Sequence, residues 1–334
     1  MEADLVSRCK LPYTEISTAG VHGVGLRALP GNLVKLLRGF FDSRRILRDF
    51  KPDVLFLTGG YVAVPMAIAG AKVKTLLYVP DIEPGVALKA LARYADVIAL
   101  TDEKSKEFFN KNKRMVVTGY PTRSELTIVP REKALQRFDL VADSPVLLVI
   151  GGSKGAHTLN QAVFDNLVDL LQQVQVLHST GQLDWDLAQE KKRSLEASLS
   201  CRYHPYPFLY EEISSAFSCA SLALSRAGAS TLGEFPSYGL PAILVPYPYA
   251  WRYQKVNADH LVKQGAAIMI ENADLSSKLS TTISDILADD RKLASMREKM
   301  HALVAPDAAT RIADLLVEIS GKKGEGRKTK DDQS

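Results

Sequence analysis

The sequence predicts an α/β protein built as two tandem Rossmann-like domains with parallel sheets, the first of them incomplete at its N-terminus. Three observations carry this. Short β-branched runs alternate with helical stretches, the pattern of βα units on a parallel sheet. The alternation occurs in two series, separated by a stretch of mixed charge holding two prolines (124–145). In the second series, strands run into glycine-containing turns that lead straight into helices, as at the ligand-binding edge of open α/β sheets.

In the first series, strands are expected at Val54–Leu57, Thr75–Val79, Val97–Leu100 and Met115–Val117, with helices around 62–70, 84–94 and 103–111. The second series offers Val146–Ile150, Val174–Leu177, Ser221–Leu224, Ala242–Val245 and Ala267–Ile270, with a helix from Ala156 to Leu171. The expected division is a first domain over 1–130, a linker over 131–145 and a second domain over 146–305. A helix over 306–320 then crosses back to the first domain. The tail 321–334 has no apolar anchor and is expected to be disordered.

The beginning of the first domain is unusual. The chain opens with a polar helical turn, Glu2 to Ser7, and Tyr13–Ile16 is the only early strand candidate. No glycine-rich turn between a strand and a helix precedes residue 50. A missing βα unit of roughly 30–40 residues would account for this.

Composition bounds the function classes. Of 334 residues, 46% are hydrophobic and 24% charged, the balance of a globular protein with real cores. The net charge of +4 is too small to argue for nucleic acid, and no aromatic–basic interleaving supports it. Cys9, Cys201 and Cys219 are scattered without metal-ligand spacing and read as free thiols, each a small buried hydrophobe. The six histidines are dispersed, so no metal site is expected. The acidic start (Met1-Glu2-Ala3-Asp4) lacks the basic leader of a signal peptide. The uncharged stretch Val54–Ala71 is cut by Gly59-Gly60 and Pro65, which argues against a membrane span. Residues 33–50 set Leu33, Leu36, Leu37, Phe40, Phe41, Ile46 and Leu47 against Lys35, Arg38, Arg44, Arg45 and Arg48. Such a helix can lie on anionic lipid, or can simply pack with a solvated basic face.

Four motifs carry chemistry. In Val149-Ile150-Gly151-Gly152-Ser153-Lys154-Gly155-Ala156, glycines allow close backbone approach and a helix N-terminus follows. The natural guest is phosphate, to which Ser153 adds a hydroxyl; the plain alternative is a tight turn. In Ser225-Arg226-Ala227-Gly228-Ala229-Ser230-Thr231-Leu232-Gly233-Glu234, Arg226 ends a strand and Glu234 falls on the first helical turns. That carboxylate can take both hydroxyls of a ribose, or serve the helix dipole. In the aromatic segment 246–257, Gln254 and Asn257 share a helical face fit for sugar hydroxyls, or the loop packs at a domain interface. In Thr118–Arg123, Arg123 faces either a diphosphate or solvent.

Together with FLTGGYVAVP (56–65), these blocks resemble the UDP-N-acetylglucosamine-dependent members of glycosyltransferase family 28. The resemblance covers nearly the whole chain up to about residue 320. It implies the GT-B fold and transfer, with inversion, of N-acetylglucosamine from UDP-GlcNAc to a lipid-linked muramoyl pentapeptide. It places the enzyme in the cytoplasm, peripheral on the inner membrane face, with no cofactor. By the same resemblance, Ser153 and the loop Gly151, Gly152 and Gly155, with Arg123, hold the diphosphate. Leu209 meets the uracil through its backbone, and Arg226, Gly228, Ser230 and Thr231 line the phosphate and base side. Glu234 binds ribose, while Gln254 and Asn257 hold the sugar.

The departures are informative. Tyr253 stands where the family usually has a first glutamine of a pair. The family's opening GGTGGH turn, whose histidine lies at the acceptor side, is absent. HEQN is replaced by the stretch after Val79 that reads Pro80-Asp81-Ile82-Glu83-Pro84. Met1–Val6 itself resembles an internal piece of these enzymes, so a start at an internal methionine is expected. Asp81 and Glu83 are then the nearby candidates for the base that an acceptor hydroxyl needs, or they are capping carboxylates. Two alternatives stay open: a non-catalytic or truncated donor-binding relative, and a UDP-sugar epimerase on the same fold.

Overall fold

The computed structural model describes residue 6, residues 10–16, residue 18, and residues 29–152, 155–248 and 253–322. Chain contacts divide it into two units, one of Met1–Val79, Pro84–Val117 and Thr310–Ser334, the other of Pro80–Glu83 and Thr118–Ala309.

In the first unit, α1 spans Leu29–Phe50. Then come β1 (Val54–Leu57), α2 (Ala63–Ala69), β2 (Lys74–Val79), α3 (Val86–Leu91), β3 (Val97–Leu100) and β4 (Arg114–Val117). The four strands pair in parallel in chain order, β1-β2-β3-β4. Two-sided burial explains their apolar runs, since β3 is wholly buried and β2 from Thr75 onward. Helix α1 ends where Lys51 adopts the left-handed conformation (φ 50°) and its N–H bonds Leu47 C=O; Pro52 follows. Its packed face carries Leu36, Phe40, Ser43 and Leu47, whereas Val34, Leu37 and Phe41 are exposed beside Arg38, Arg44 and Arg45. The C-terminal helix, Ala308–Ser320, packs its Ile312 and Leu315 on Leu76, Tyr78, Val97 and Ala99, and Arg114 grips its Glu318 through two hydrogen bonds (2.7 and 2.8 Å).

The second unit contains α4 (Arg131–Arg137), β5 (Val146–Ile150), α5 (His157–Asp165), α6 (Leu167–Gln173), β6 (Gln175–Ser179), α7 (Trp185–Ser194) and α8 (Ala197–Ser200). It continues with β7 (Tyr203–Tyr206), α9 (Ile213–Cys219), β8 (Leu222–Ser225), α10 (Thr231–Tyr238), β9 (Ala242–Leu244) and α11 (Tyr253–Lys263). It closes with β10 (Ala267–Met269), α12 (Leu275–Leu287) and α13 (Asp290–His301), before α14 (Ala308–Ser320). The six-stranded sheet is parallel throughout, in the order β10-β9-β8-β5-β6-β7. From central β5 the chain winds one way to β7, then jumps to β8 and winds the other way. The crevice between the carboxyl ends of β5 and β8 is thus the switch point of the sheet, where ligands bind in doubly wound folds.

Several expectations change. Tyr13–Ile16 is not a strand, and the helix expected over 103–111 is a 3-10 turn, Glu103–Phe108, capped by the Asp102 side chain. Residues 131–145 are no loose linker: Ala134, Leu135, Phe138 and Leu140 are buried in the second unit's core. The helix expected from Ala156 to Leu171 breaks at Asn166, whose side-chain amide bonds Ala162 C=O and Ser276 C=O. Strand β7 was not foreseen; Pro205 interrupts its pattern but is tolerated because β7 is an edge. Cys219 is buried as expected, while Cys201 is exposed. Cys9, the helical turn at residues 2–7 except Val6, and the tail beyond 322 lie outside the described residues.

Candidate functional site

The switch-point crevice holds a cavity of about 610 Å³ whose described lining residues all belong to the second unit. Its first wall is the turn after β5. Gly152 (φ +89°) and Gly155 (φ +76°) occupy left-handed conformations, and Gly155 N–H bonds Gly152 C=O at 3.0 Å. A Cβ on Gly151 would stand 2.6 Å from Ala156, and one on Gly155 would strike Thr180 C=O. The turn therefore needs its glycines, and it aims backbone at the cavity directly before α5. Ser153 lies outside the described residues.

The second wall is the turn after β8. Arg226, 7% exposed, lines the cavity and is held by several distant segments. Its Nη1 donates to Val245 C=O (3.0 Å) and to Asn272 Oδ1 (2.8 Å), and its Nη2 to Thr158 Oγ1. The Tyr247 ring covers the guanidinium, 5.5 Å from Cζ to centroid. Burial pulls its pKa below the usual arginine value, yet none of these partners is a carboxylate. A positive charge so placed attracts an anion into the cavity.

Gly228, Ser230, Thr231 and Glu234 also border the cavity. The Thr231 hydroxyl is engaged by its own turn, donating to Gly228 C=O at 2.7 Å. Burial raises the Glu234 carboxyl above the usual range, while Arg123 and Ser230 oppose the shift. Arg123 does not line the cavity; its Nη2 reaches Glu234 Oε1 at 3.2 Å from a half-exposed side chain. Near this pair the Tyr120 side chain packs against Gly233 of α10, where an added Cβ would come within 2.6 Å of its ring.

The motif expected to hold sugar divides. Gln254 lines the cavity, and its Oε1 accepts the Tyr247 N–H at 2.8 Å, leaving its NH2 group to offer a ligand. Asn257 does not. It is fully buried, donating to Asp81 Oδ1 (2.8 Å) and Ala227 C=O (3.1 Å) and accepting from Ile82 N–H (3.1 Å). Its carboxamide holds the Pro80–Glu83 segment within the second unit instead of reaching for a substrate. Asp81 and Glu83 belong to that segment and do not border the cavity. Burial raises the Asp81 carboxyl, an effect partly offset by the Asn257 hydrogen bond. The Leu209 side chain is buried in the core, which leaves its backbone as the only part able to meet a base.

Residues overlooked in the sequence complete the site. Tyr247, His157 and Thr158 all line the cavity. Behind the glycine turn, His178, Asn160 and Asp184 form a buried hydrogen-bonded chain with Tyr203. Burial drives His178 down to about 3, so it is neutral. Among the described residues, no three His, Cys, Asp or Glu side chains group to hold a metal ion, and no helix is long and apolar enough to cross a membrane.

Residues 146–312 match the glycosyltransferase family 28 C-terminal domain and residues 1–100 the family's N-terminal domain. A UDP-N-acetylglucosamine–N-acetylmuramyl-(pentapeptide) pyrophosphoryl-undecaprenol N-acetylglucosamine transferase of Listeria monocytogenes serotype 4a is 37% identical, over 96% of this chain and 88% of its own. The enzyme of the same name from Roseiflexus sp. (strain RS-1) is 36% identical, over 95% and 81%. Among solved structures, Acinetobacter baumannii MurG superposes with a TM-score of 0.74 at 26% identity, over 95% of this chain and 88% of its own. A UDP-GlcNAc 2-epimerase from Neisseria meningitidis shares the fold at 12% identity, with a TM-score of 0.65 over 95% and 88%. The chain belongs to glycosyltransferase family 28, and its two parallel-sheet Rossmann-like units are those of GT-B proteins.

Proposed function

We propose that this protein transfers N-acetylglucosamine from UDP-GlcNAc, with inversion, to the lipid-linked N-acetylmuramyl pentapeptide named for its relatives, a step of peptidoglycan synthesis. One observation carries the reading: the glycine turn, the buried Arg226 and the Glu234 carboxylate face a single cavity at the sheet's switch point. Diphosphate fits the turn and the guanidinium, and the ribose hydroxyls fit Glu234. Gln254 then meets the hexose, and Arg123 steadies Glu234. Ser153, Gly228, Ser230 and Thr231 complete the donor side, and the Leu209 backbone meets the uracil.

In the transfer, the acceptor oxygen bonds to the anomeric carbon while the bond from that carbon to the β-phosphate oxygen breaks. The electron pair leaves with UDP, whose charge Arg226 and the α5 N-terminus stabilise. The acceptor proton passes to a base. Asp81 is our candidate, because burial has made its carboxyl a stronger base than usual; Glu83 is the neighbouring alternative. The exposed Val34, Leu37 and Phe41 of α1, with their arginines, suit an anionic membrane surface on the cytoplasmic face.

The test is calorimetry with UDP, followed by transfer of radiolabelled N-acetylglucosamine into a lipid-extractable product. Binding with acceptor-dependent transfer supports the reading. Absence of binding at millimolar UDP, or conversion of UDP-GlcNAc to an epimer without acceptor, overturns it.

A further inference from the structure

We propose that His157, positioned by Asp184, is a second cation of the donor cavity and bonds the diphosphate of the nucleotide sugar; this rests on the function proposed above. Among the described residues that line the cavity, Arg226 and His157 are the side chains able to carry positive charge. They stand differently. Arg226 is buried and tied by three protein oxygens. The His157 side chain is 70% exposed at the first position of α5, the helix that the glycine turn leads into.

The hydrogen bonds behind His157 determine its orientation. Asn160 Nδ2 lies 2.7 Å from both Thr180 C=O and Asp184 Oδ2, which only accept, so the carboxamide oxygen must face His178. His178 Nε2, at 3.0 Å, therefore donates to Asn160 Oδ1, and its Nδ1 accepts the Tyr203 hydroxyl, also at 3.0 Å. Asp184 is left as a buried carboxylate with one oxygen filled by Asn160. The other oxygen lies 2.8 Å from His157 Nδ1, which donates to it. Nε2 is then on the opposite edge of the ring, and in the charged form its N–H is a donor for a phosphate oxygen. Among the described residues, the charged groups near the imidazole are Asp184, bonded to it, Arg226, bonded to the neighbouring Thr158, and Glu234, which lines the same cavity. During transfer no bond to His157 forms or breaks; it holds the departing UDP through its ring N–H.

Affinities for UDP and uridine, measured by calorimetry on the full chain, separate this role from a structural one. His157→Gln is expected to weaken UDP binding roughly tenfold while leaving uridine within about twofold, since a lost charge-assisted bond costs about that much. His157→Arg should recover most of the UDP affinity. Asp184→Asn, which keeps the side-chain volume but not the charge, should weaken UDP more than uridine. Equal UDP affinity in wild type and His157→Gln, or parallel loss of UDP and uridine, overturns the assignment while leaving the proposed function standing. Wild-type protein that binds no UDP overturns both.

Discussion

The Asn257 carboxamide donates to the Asp81 carboxylate at 2.8 Å, joining residues 176 positions apart in the chain. The same amide accepts from the Ile82 N–H, and the Ile82 side chain is fully buried in the second unit's core. A segment that sequence order assigns to the first domain is thereby built into the second.

Replacing Asn257 by alanine should therefore cost stability. The change orphans the Ile82 N–H and the Ala227 C=O, a loss of roughly 2–4 kcal/mol. Thermal unfolding should show it directly. Asn257→Asp should be worse still, because it sets a second carboxylate against Asp81. A raised KM for donor at an unchanged melting temperature would instead restore a sugar-binding role.

Asp81 should make stability depend on pH. Its carboxyl titrates higher in the folded chain than in the unfolded one. The stabilisation this gives is complete below the ordinary carboxylate value of about 4 and is lost as pH rises through the elevated folded value. Asp81→Asn should consequently melt above wild type at neutral pH, with the gap closing in acid. If Asp81 is the base, the same variant should lose about 10²- to 10⁴-fold in turnover.

Gly233→Ala should destabilise by roughly 1–3 kcal/mol, since the new methyl meets the Tyr120 ring and overpacked contacts cost that much. The double variant with Tyr120→Ala should lose less than the sum of the two single changes. Strict additivity in denaturant melts would show that the ring does not depend on this glycine.

Helix α1 offers a surface test. Phe41 is 66% exposed and Leu37 54%. Changing both to serine should reduce binding to anionic vesicles at least tenfold, given about 1.5–3 kcal/mol for burying each side chain. Circular dichroism should be unchanged, because neither residue is on the packed face. Equal vesicle binding would remove α1 from the membrane contact.

The strands could be read from sequence because β3 and β5 are buried on both faces and appear as unbroken apolar runs. Strand β7 escaped because an edge accepts Pro205, which a central strand would reject. The glycine turns were legible, since a φ of +89° or +76° favours that residue type. The fixing of Arg226 was not: its partners Thr158, Val245 and Asn272 are far apart in sequence and follow no periodic pattern. Asn257 misled for the opposite reason. Its spacing from Gln254 suits a shared surface, but one amide faces the cavity and the other is consumed inside the fold.

Borrowing residues 80–83 has a practical bearing on dissecting the gene. A fragment expressed from codon 118 to codon 309 would contain every described wall of the cavity but would lack the short peptide that plugs its own interior. A hole the size of an isoleucine side chain would open, and the amide that clasped the peptide would keep Ala227 alone of its three partners. Supplying the peptide in trans, or grafting it through a linker ahead of residue 118, should turn an aggregation-prone fragment into one that retains its nucleotide pocket.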